Sequence, residues 1–245
     1  MKKIILLALL ITSFTTIAQD SVLLRINYNE TDNYVTTMEL NKSKDSQSGM
    51  FMSVVLNSKV ISADNNLIML ESKVGSIVIN LDQGGVIMEF DSNKSDEDLD
   101  QMGQMMKAKF DQALKATIYN SIDRYGNVLE LKMEPSLPQM EHFSANQNSI
   151  NFPDEEVSVG SSWESETDDN KGMKFIKKYT VTNITDGMIS LDISGDISGT
   201  GTGTVNGKST VEISSGMQTN STIEMTIFAQ GKEMSLVTTS KMIKI

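Results

Sequence analysis

From Ile189 to Val205 every odd-numbered residue is Ile, Leu, Gly or Val, and every even-numbered one is Ser, Asp or Thr. Side chains along an extended strand point alternately to opposite faces, so this alternation requires β structure with one wet and one dry side. Read as one strand at about 3.3 Å per residue, the stretch would be about 55 Å long, too long for a small domain unless it bends or coils. The glycines are the expected place for the bend. After Ile189, Leu191 and Ile193 the dry side thins to Gly195, Ile197, Gly199, Gly201 and Gly203, so a bulky neighbour or a cavity must fill that space. Asn206-Gly207 has the composition of a tight turn. A two-residue loop there would turn Val211 and Ile213 out into water, whereas an odd loop sets Gly203 opposite Val211 and Gly201 opposite Ile213.

The rest of the chain follows the same grammar. Runs at Val22–Tyr28, Tyr34–Asn41, Met50–Val60, Leu67–Val74, Ile77–Leu81 and Val86–Asp91 are short, β-branched and separated by Asn, Asp, Ser or Gly. Gln83-Gly84-Gly85, Tyr125-Gly126-Asn127, Asp186-Gly187 and Gln230-Gly231 read as turns between strands. One segment departs. Ser95-Asp96-Glu97-Asp98 opens like a helix N-terminus, and Leu99, Met102, Met106, Phe110 and Ala113 recur behind it at spacings of three and four. The expected fold is therefore mainly β: an antiparallel, strongly bent sheet of half-barrel or open-barrel type, with one amphipathic Met-rich helix near 95–115. Pro135, Pro138 and Pro153 bracket a polar connector. The organisation expected is a leader at 1–18, an N-terminal β-rich part at 19–134, the connector at 135–153 and a C-terminal antiparallel part at 154–245.

Lys2 and Lys3, the apolar run Ile4–Ile11, and the small residues before Ala18 have the form of a secretory signal peptide. Thr12, Ser13, Thr15 and Thr16 interrupt the apolar run well short of the roughly 20 residues a spanning helix needs. The expectation is export to the periplasm or the medium, with no stable membrane insertion after cleavage. The chain has no cysteine, which excludes disulfides, thiol catalysis and lipid attachment at an N-terminal Cys. Its net charge is −11, and loss of Lys2 and Lys3 makes it more negative, so nucleic acid and anionic membranes are disfavoured partners.

The chemistry of sites is mostly negative. His142 is the only histidine and lies in the connector without an Asp or Ser pattern nearby. Gly199-Thr200-Gly201-Thr202-Gly203 fails the dinucleotide fingerprint, because Thr204 and Asn206 stand where the third glycine belongs. Asp91, Asn93 and Ser95 begin like a calcium loop, but Asp96 and Met102 occupy the positions of its Gly and Glu. Met102, Met105 and Met106 could offer thioethers to Cu(I), yet methionines at helical spacing are ordinary core residues. No catalytic residue, metal or cofactor is assigned. What remains is a candidate ligand groove, in which Met102, Met106 and Phe110 of the helix, together with Trp163, face the glycine-thinned strand at Gly199, Gly201 and Gly203.

The exported start, the run Val157-Ser158-Val159-Gly160-Ser161-Ser162-Trp163, the Asp96–Met106 helix and the Gly/Thr strand pair resemble a family of exported bacterial proteins of unknown function. In outline the arrangement is also similar to the periplasmic half-barrel lipoprotein carriers and related lipid binders, whose bent sheets cup apolar ligands under helices. The family's motifs are structural and imply no activity, and the second likeness is one of architecture; the glycine-thinned dry face motivates the leading reading, a non-enzymatic binding module for a lipid or other apolar small molecule. A structural or interaction protein of the envelope is the alternative class, and an unrecognised hydrolase the third.

Overall fold

The computed structural model describes residues 21–45, 48–136, 150–168, 172–229 and 231–245. The leader at 1–18, and Pro138 and His142 of the connector, lie outside the described residues. Twelve strands and one helix follow one another along the described chain: β1 (Asn33–Asp45), β2 (Ser48–Ala63), β3 (Ile68–Gln83), β4 (Val86–Asp91), α1 (Gln101–Lys115), β5 (Thr117–Ile122), β6 (Val128–Glu134), β7 (Ser162–Asp168), β8 (Met173–Thr185), β9 (Met188–Gly199), β10 (Thr202–Glu212), β11 (Met217–Ala229) and β12 (Lys232–Lys244). All the strands belong to a single antiparallel sheet in the order β6-β5-β3-β2-β1-β12-β11-β10-β9-β8-β7, with β4 on the far half of β3. The sheet is not closed. Its two halves join at the pairing of β1 with β12, from Tyr34 opposite Lys244 to Lys42 opposite Leu236.

The alternating stretch 189–205 is a hairpin and not one strand. β9 ends at Gly199 and β10 begins at Thr202. Ile197 pairs with Gly203, so an odd number of residues lies between them and odd positions stay on the same face through the turn. That is why the pattern runs unbroken across a reversal of direction. Gly199, at φ 100, takes the left-handed conformation the turn requires. Asn206-Gly207, expected as the turn, lies inside β10 with Ser194 and Ile193 on one side and Glu224 and Ile223 on the other. Val211 accordingly faces Ile189, not Gly203.

Gly195 and Gly203 are explained by close approach. A Cβ on Gly195 would lie 2.0 Å from the carbonyl oxygen of Ile176, and one on Gly203 would lie 2.0 Å from that of Thr226. The neighbouring backbone fills the space a side chain would take, so the strands coil there.

Curvature is visible in the core itself. Register puts Ile68, Leu70 and Ile122 on the same face as Tyr179, Ile193 and Val205, and all six belong to one cluster of buried residues although they come from opposite ends of the sheet. Only a sheet curled about that face allows it. The run Val22–Tyr28, expected as a strand, is an extended plug with a single bridge between Val22 and Val157. Its amides donate to unrelated carbonyls, Ile26 to Arg124 (2.9 Å) and Asn27 to Ser215 (2.8 Å), so it crosses one end of the half-barrel instead of extending an edge. Leu24, Ile26 and Tyr28 enter the core there. Arg124 holds the plug by donating to the carbonyls of Ile26 (3.0 Å) and Asp64 (2.6 Å). Arg25 lies 4.1 Å from the centre of the Tyr125 ring and donates to Pro153 O (2.7 Å).

Helix α1 covers the same face over β2, β3 and β4. Asp100, not Ser95, caps it, accepting from the Gly103 amide at 2.7 Å. Ser95 opens only a short 3-10 turn over Asp96–Asp98. A second, smaller cluster, Val74, Ile77, Ile79, Phe90, Leu99 and Ala113, lies beneath the helix.

Candidate functional site

The pairing registers trace one apolar path across the inner face. On β1, Met38 and Leu40 sit opposite Val54 and Met52 of β2. On their other side lie Ser240 and Thr238 of β12. Leu236 and Met234 of β12 face Met225 and Ile227 of β11. Met225 faces Val205, Val205 faces Gly195, and Gly195 faces Lys177 of β8. The two sides of this path are packed: Ile77, Ile79 and Phe90 lie under α1, and Tyr179, Ile193 and Val205 lie in the main core. Its centre is less enclosed: Met38, Leu40, Met52, Met225, Met234, Leu236 and Met242 are all only half-buried, Met52 resting against the cluster under α1 and Met225, Met234, Leu236 and Met242 against the main core. The result is a trough whose floor is β1 and β12 and whose lining is dominated by unbranched, polarisable methionines, which adapt to irregular apolar shapes.

Polar groups punctuate that surface. Ser209, Ser221 and Ser240 are cross-strand neighbours on β10, β11 and β12. Ser209 donates to the Asn220 carbonyl at 3.1 Å. The Ser221 hydroxyl, in a residue 5% exposed, has no hydrogen-bond partner among the described residues.

Lys177 is the exceptional residue. It is 3% exposed, and burial pushes its ammonium group down to about 8 from the usual lysine range. It lines a small cavity of about 10 Å³ with Thr167, Phe175, Val205, Ile223 and Met225, room for one water molecule. The acidic residues of the neighbouring β7 have the opposite parity: Glu166 lies on the outer face and pairs there with Lys174 at 2.9 Å. Sequence reasoning missed Lys177, although the signal was present. It alternates in phase with Phe175, Tyr179 and Val181, so a strand over Met173–Thr185 places its charge on the dry side.

The residues expected to form a groove are not brought together. Met106 and Phe110 pack under α1, the Phe110 ring stacking on Phe90 with centroids 5.7 Å apart. Met102, expected on the same stripe, is 38% exposed. Leu99 is buried in the cluster under the helix and lies against its first turn at Gly103, 3.1 Å from where a Cβ would stand. Trp163 belongs to the main core, stacked on Tyr179 at 5.4 Å, and its indole N–H donates to Asn151 O at 2.7 Å. Asn151 also donates to Asn127 Oδ1 at 2.7 Å, so residue 151 links edge strand β7 to the β5–β6 turn at the other edge. Gly199 and Gly201 lie at the tip of the β9–β10 hairpin, and Gly203 lies within β10.

Residues 139–240 match a family of unknown function (DUF6263). The match contains the Val157–Trp163 run and strands β7 to β11, and leaves α1 outside. No curated protein matches the chain. Among solved structures, a lipovitellin structure described as "Lipid-protein interactions in lipovitellin" is similar, with a TM-score of 0.54 and 10% identity over 89% of this chain. The likeness spans 25% of the lipovitellin chain and is one of fold.

Proposed function

We propose that this protein is an exported, non-enzymatic binding module of the cell envelope that holds a lipid or other apolar ligand along the trough. The observation that carries the reading is the half-exposed, methionine-lined floor over β1 and β12 between two packed walls. An apolar surface left half wet inside a curved sheet is a place where a ligand gains by excluding water, at roughly 25 cal/mol for each Å² it covers. The ligand lies on an open floor, since the cavity beside Lys177 admits only a water molecule. A similar sheet occurs in lipovitellin, in a structure described by its lipid-protein interactions, and this is consistent with the reading.

Native mass spectrometry of the mature protein from the cell that makes it, followed by solvent extraction, tests this. The expected result is a mass above that of the polypeptide and an extractable amphiphile. A bare polypeptide mass with nothing extracted refutes it. The alternative of an interaction protein draws on edge strand β6, where Leu129 is 59% exposed and which pairs, among the described residues, only with β5. Substitution of Leu129 by Lys would abolish a complex of that kind and leave ligand content unchanged.

A further inference from the structure

We propose that Ser221 binds the hydroxyl of an uncharged single-chain amphiphile, of the fatty-alcohol or monoacylglycerol class, whose chain lies along the methionine-lined trough. The inference rests on the reading above and names the ligand class. Ser221 shares its parity with Ile223, Met225 and Ile227 on β11, so its side chain is turned to the inner face. It is 5% exposed, and its hydroxyl has no hydrogen-bond partner among the described residues. A buried hydroxyl left unpaired destabilises the fold, and a hydrogen-bonding group entering from the trough would relieve that. Ser209, its neighbour on β10, is already engaged, donating to the Asn220 carbonyl at 3.1 Å and accepting from Gln218 Nε2 at 3.0 Å. On the other side stands Ser240 of β12, half-buried and opposite Met38 of the trough floor. On the sheet, Ser221 is thus separated from the floor strand β1 by one small residue.

The surroundings select the head group. The pairing row through Ser221 runs from Leu191 on β9 to Val54 on β2, the next row away from the plug runs from Ile193 to Met52, and no residue of either is charged. Towards the plug the inner positions include Val211, Met242 and Thr36, uncharged as well. A carboxylate or ammonium head would lose its hydration here with no ion of opposite sign in these rows to offset the loss. A hydroxyl both donates and accepts, and Ser221 offers the same two capacities. The plug fixes the direction of the chain. The Tyr28 hydroxyl lies 4.0 Å from Met242 Sδ, so the trough is closed one inner position beyond Ser240. From Ser240 the floor continues away from the plug through Thr238, Leu236 and Met234, about 20 Å at about 3.3 Å per residue, which gives an extended acyl or alkyl chain its bed. The hydroxyls of Ser240 and Thr238 on that floor suit the further oxygens of a glycerol head.

The test is isothermal titration calorimetry at neutral pH on the intact mature protein freed of bound lipid. It compares oleyl alcohol, the parent hydrocarbon with the same chain and no hydroxyl, and oleic acid, each delivered from cyclodextrin. The expectation is that the alcohol binds at least about tenfold more tightly than either of the others. Ser221→Ala should remove the preference over the hydrocarbon, while the ligand-free variant melts no lower than the unaltered protein. Equal affinity for alcohol and hydrocarbon overturns the assignment of Ser221 while leaving an apolar binding module standing. So does a preference for the alcohol that persists in Ser221→Ala. Oleic acid binding as tightly as the alcohol, or more tightly, overturns the uncharged head. A Ser221→Ala variant that melts lower without ligand, or does not fold, shows a hydroxyl already satisfied within the protein and overturns the proposal as well. Binding of none of the three probes overturns the proposal and the broader function together.

Discussion

Replacing Lys177 by Met should make the ligand-free protein more stable, and the size of the gain should depend on pH. In the native state burial lowers the ammonium group to about 8, while in the unfolded chain lysine keeps its ordinary 10.5. Each step of one in that difference is worth about 1.4 kcal/mol, so the buried charge costs the native state about 3 kcal/mol wherever both states carry it. The sign follows from proton counting. Below pH 8 lysine is protonated in both states and the full cost is present. Between 8 and 10.5 the unfolded chain binds a proton that the native protein does not, so stability rises with pH. Above 10.5 the cost is gone. Methionine has a similar length and no charge, so at pH 7 the variant should melt about 6–12 °C higher, taking about 2–4 °C per kcal/mol for a domain of this size. Thermal unfolding followed by circular dichroism, at several pH values from about 7 to about 11, measures the difference between the two proteins. Tyr28, Tyr34 and Tyr179, all raised by burial, titrate alike in both and cancel. The reasoning is refuted if the variant melts lower at neutral pH, or if the gap fails to close as pH approaches 10.5.

Gly203→Ala should cost about 3 kcal/mol, because its Cβ would meet the Thr226 carbonyl at 2.0 Å; urea denaturation reads the loss. Gly201→Ala meets nothing closer than 3.4 Å, from Ala229 and Phe228, and should change urea stability by about 1 kcal/mol or less. Trp163→Phe keeps an aromatic ring beside Tyr179 but loses the 2.7 Å bond to Asn151, so chemical denaturation should show a loss of about 1–2 kcal/mol. Phe110→Ala removes the ring stacked on Phe90 and should cost about 2–3 kcal/mol, measured as faster proteolysis within 95–115 than in β7–β12.

Alternation records which face a side chain takes, and is silent about where the chain reverses. An even loop changes the parity of the buried positions and so leaves a mark; the odd turn at Gly199–Gly201 leaves none, which is why two strands read as one. The helix is legible because its period differs from that of its surroundings, but its first turn is not, since the periodicity does not show Leu99 lying against that turn at Gly103. The candidate groove fails for a different reason. Met106, Trp163 and Gly201 each occupy a plausible inward position, yet their separation depends on the long-range pairing of β1 with β12, between residues about 200 positions apart, which no local pattern encodes. That pairing creates the trough floor from Met38, Leu40, Met234 and Leu236, residues with no distinction in sequence beyond ordinary alternation. Lys177 is a residue whose anomaly is local: a charge in phase with Phe175, Tyr179 and Val181. A dry-side charge within an otherwise regular strand is therefore a clearer mark of an unusual environment in this sheet than glycine-rich thinning. Coiling backbone can fill the space above glycine, whereas a buried ammonium group keeps a desolvation cost that shows as the lowered pKa of Lys177.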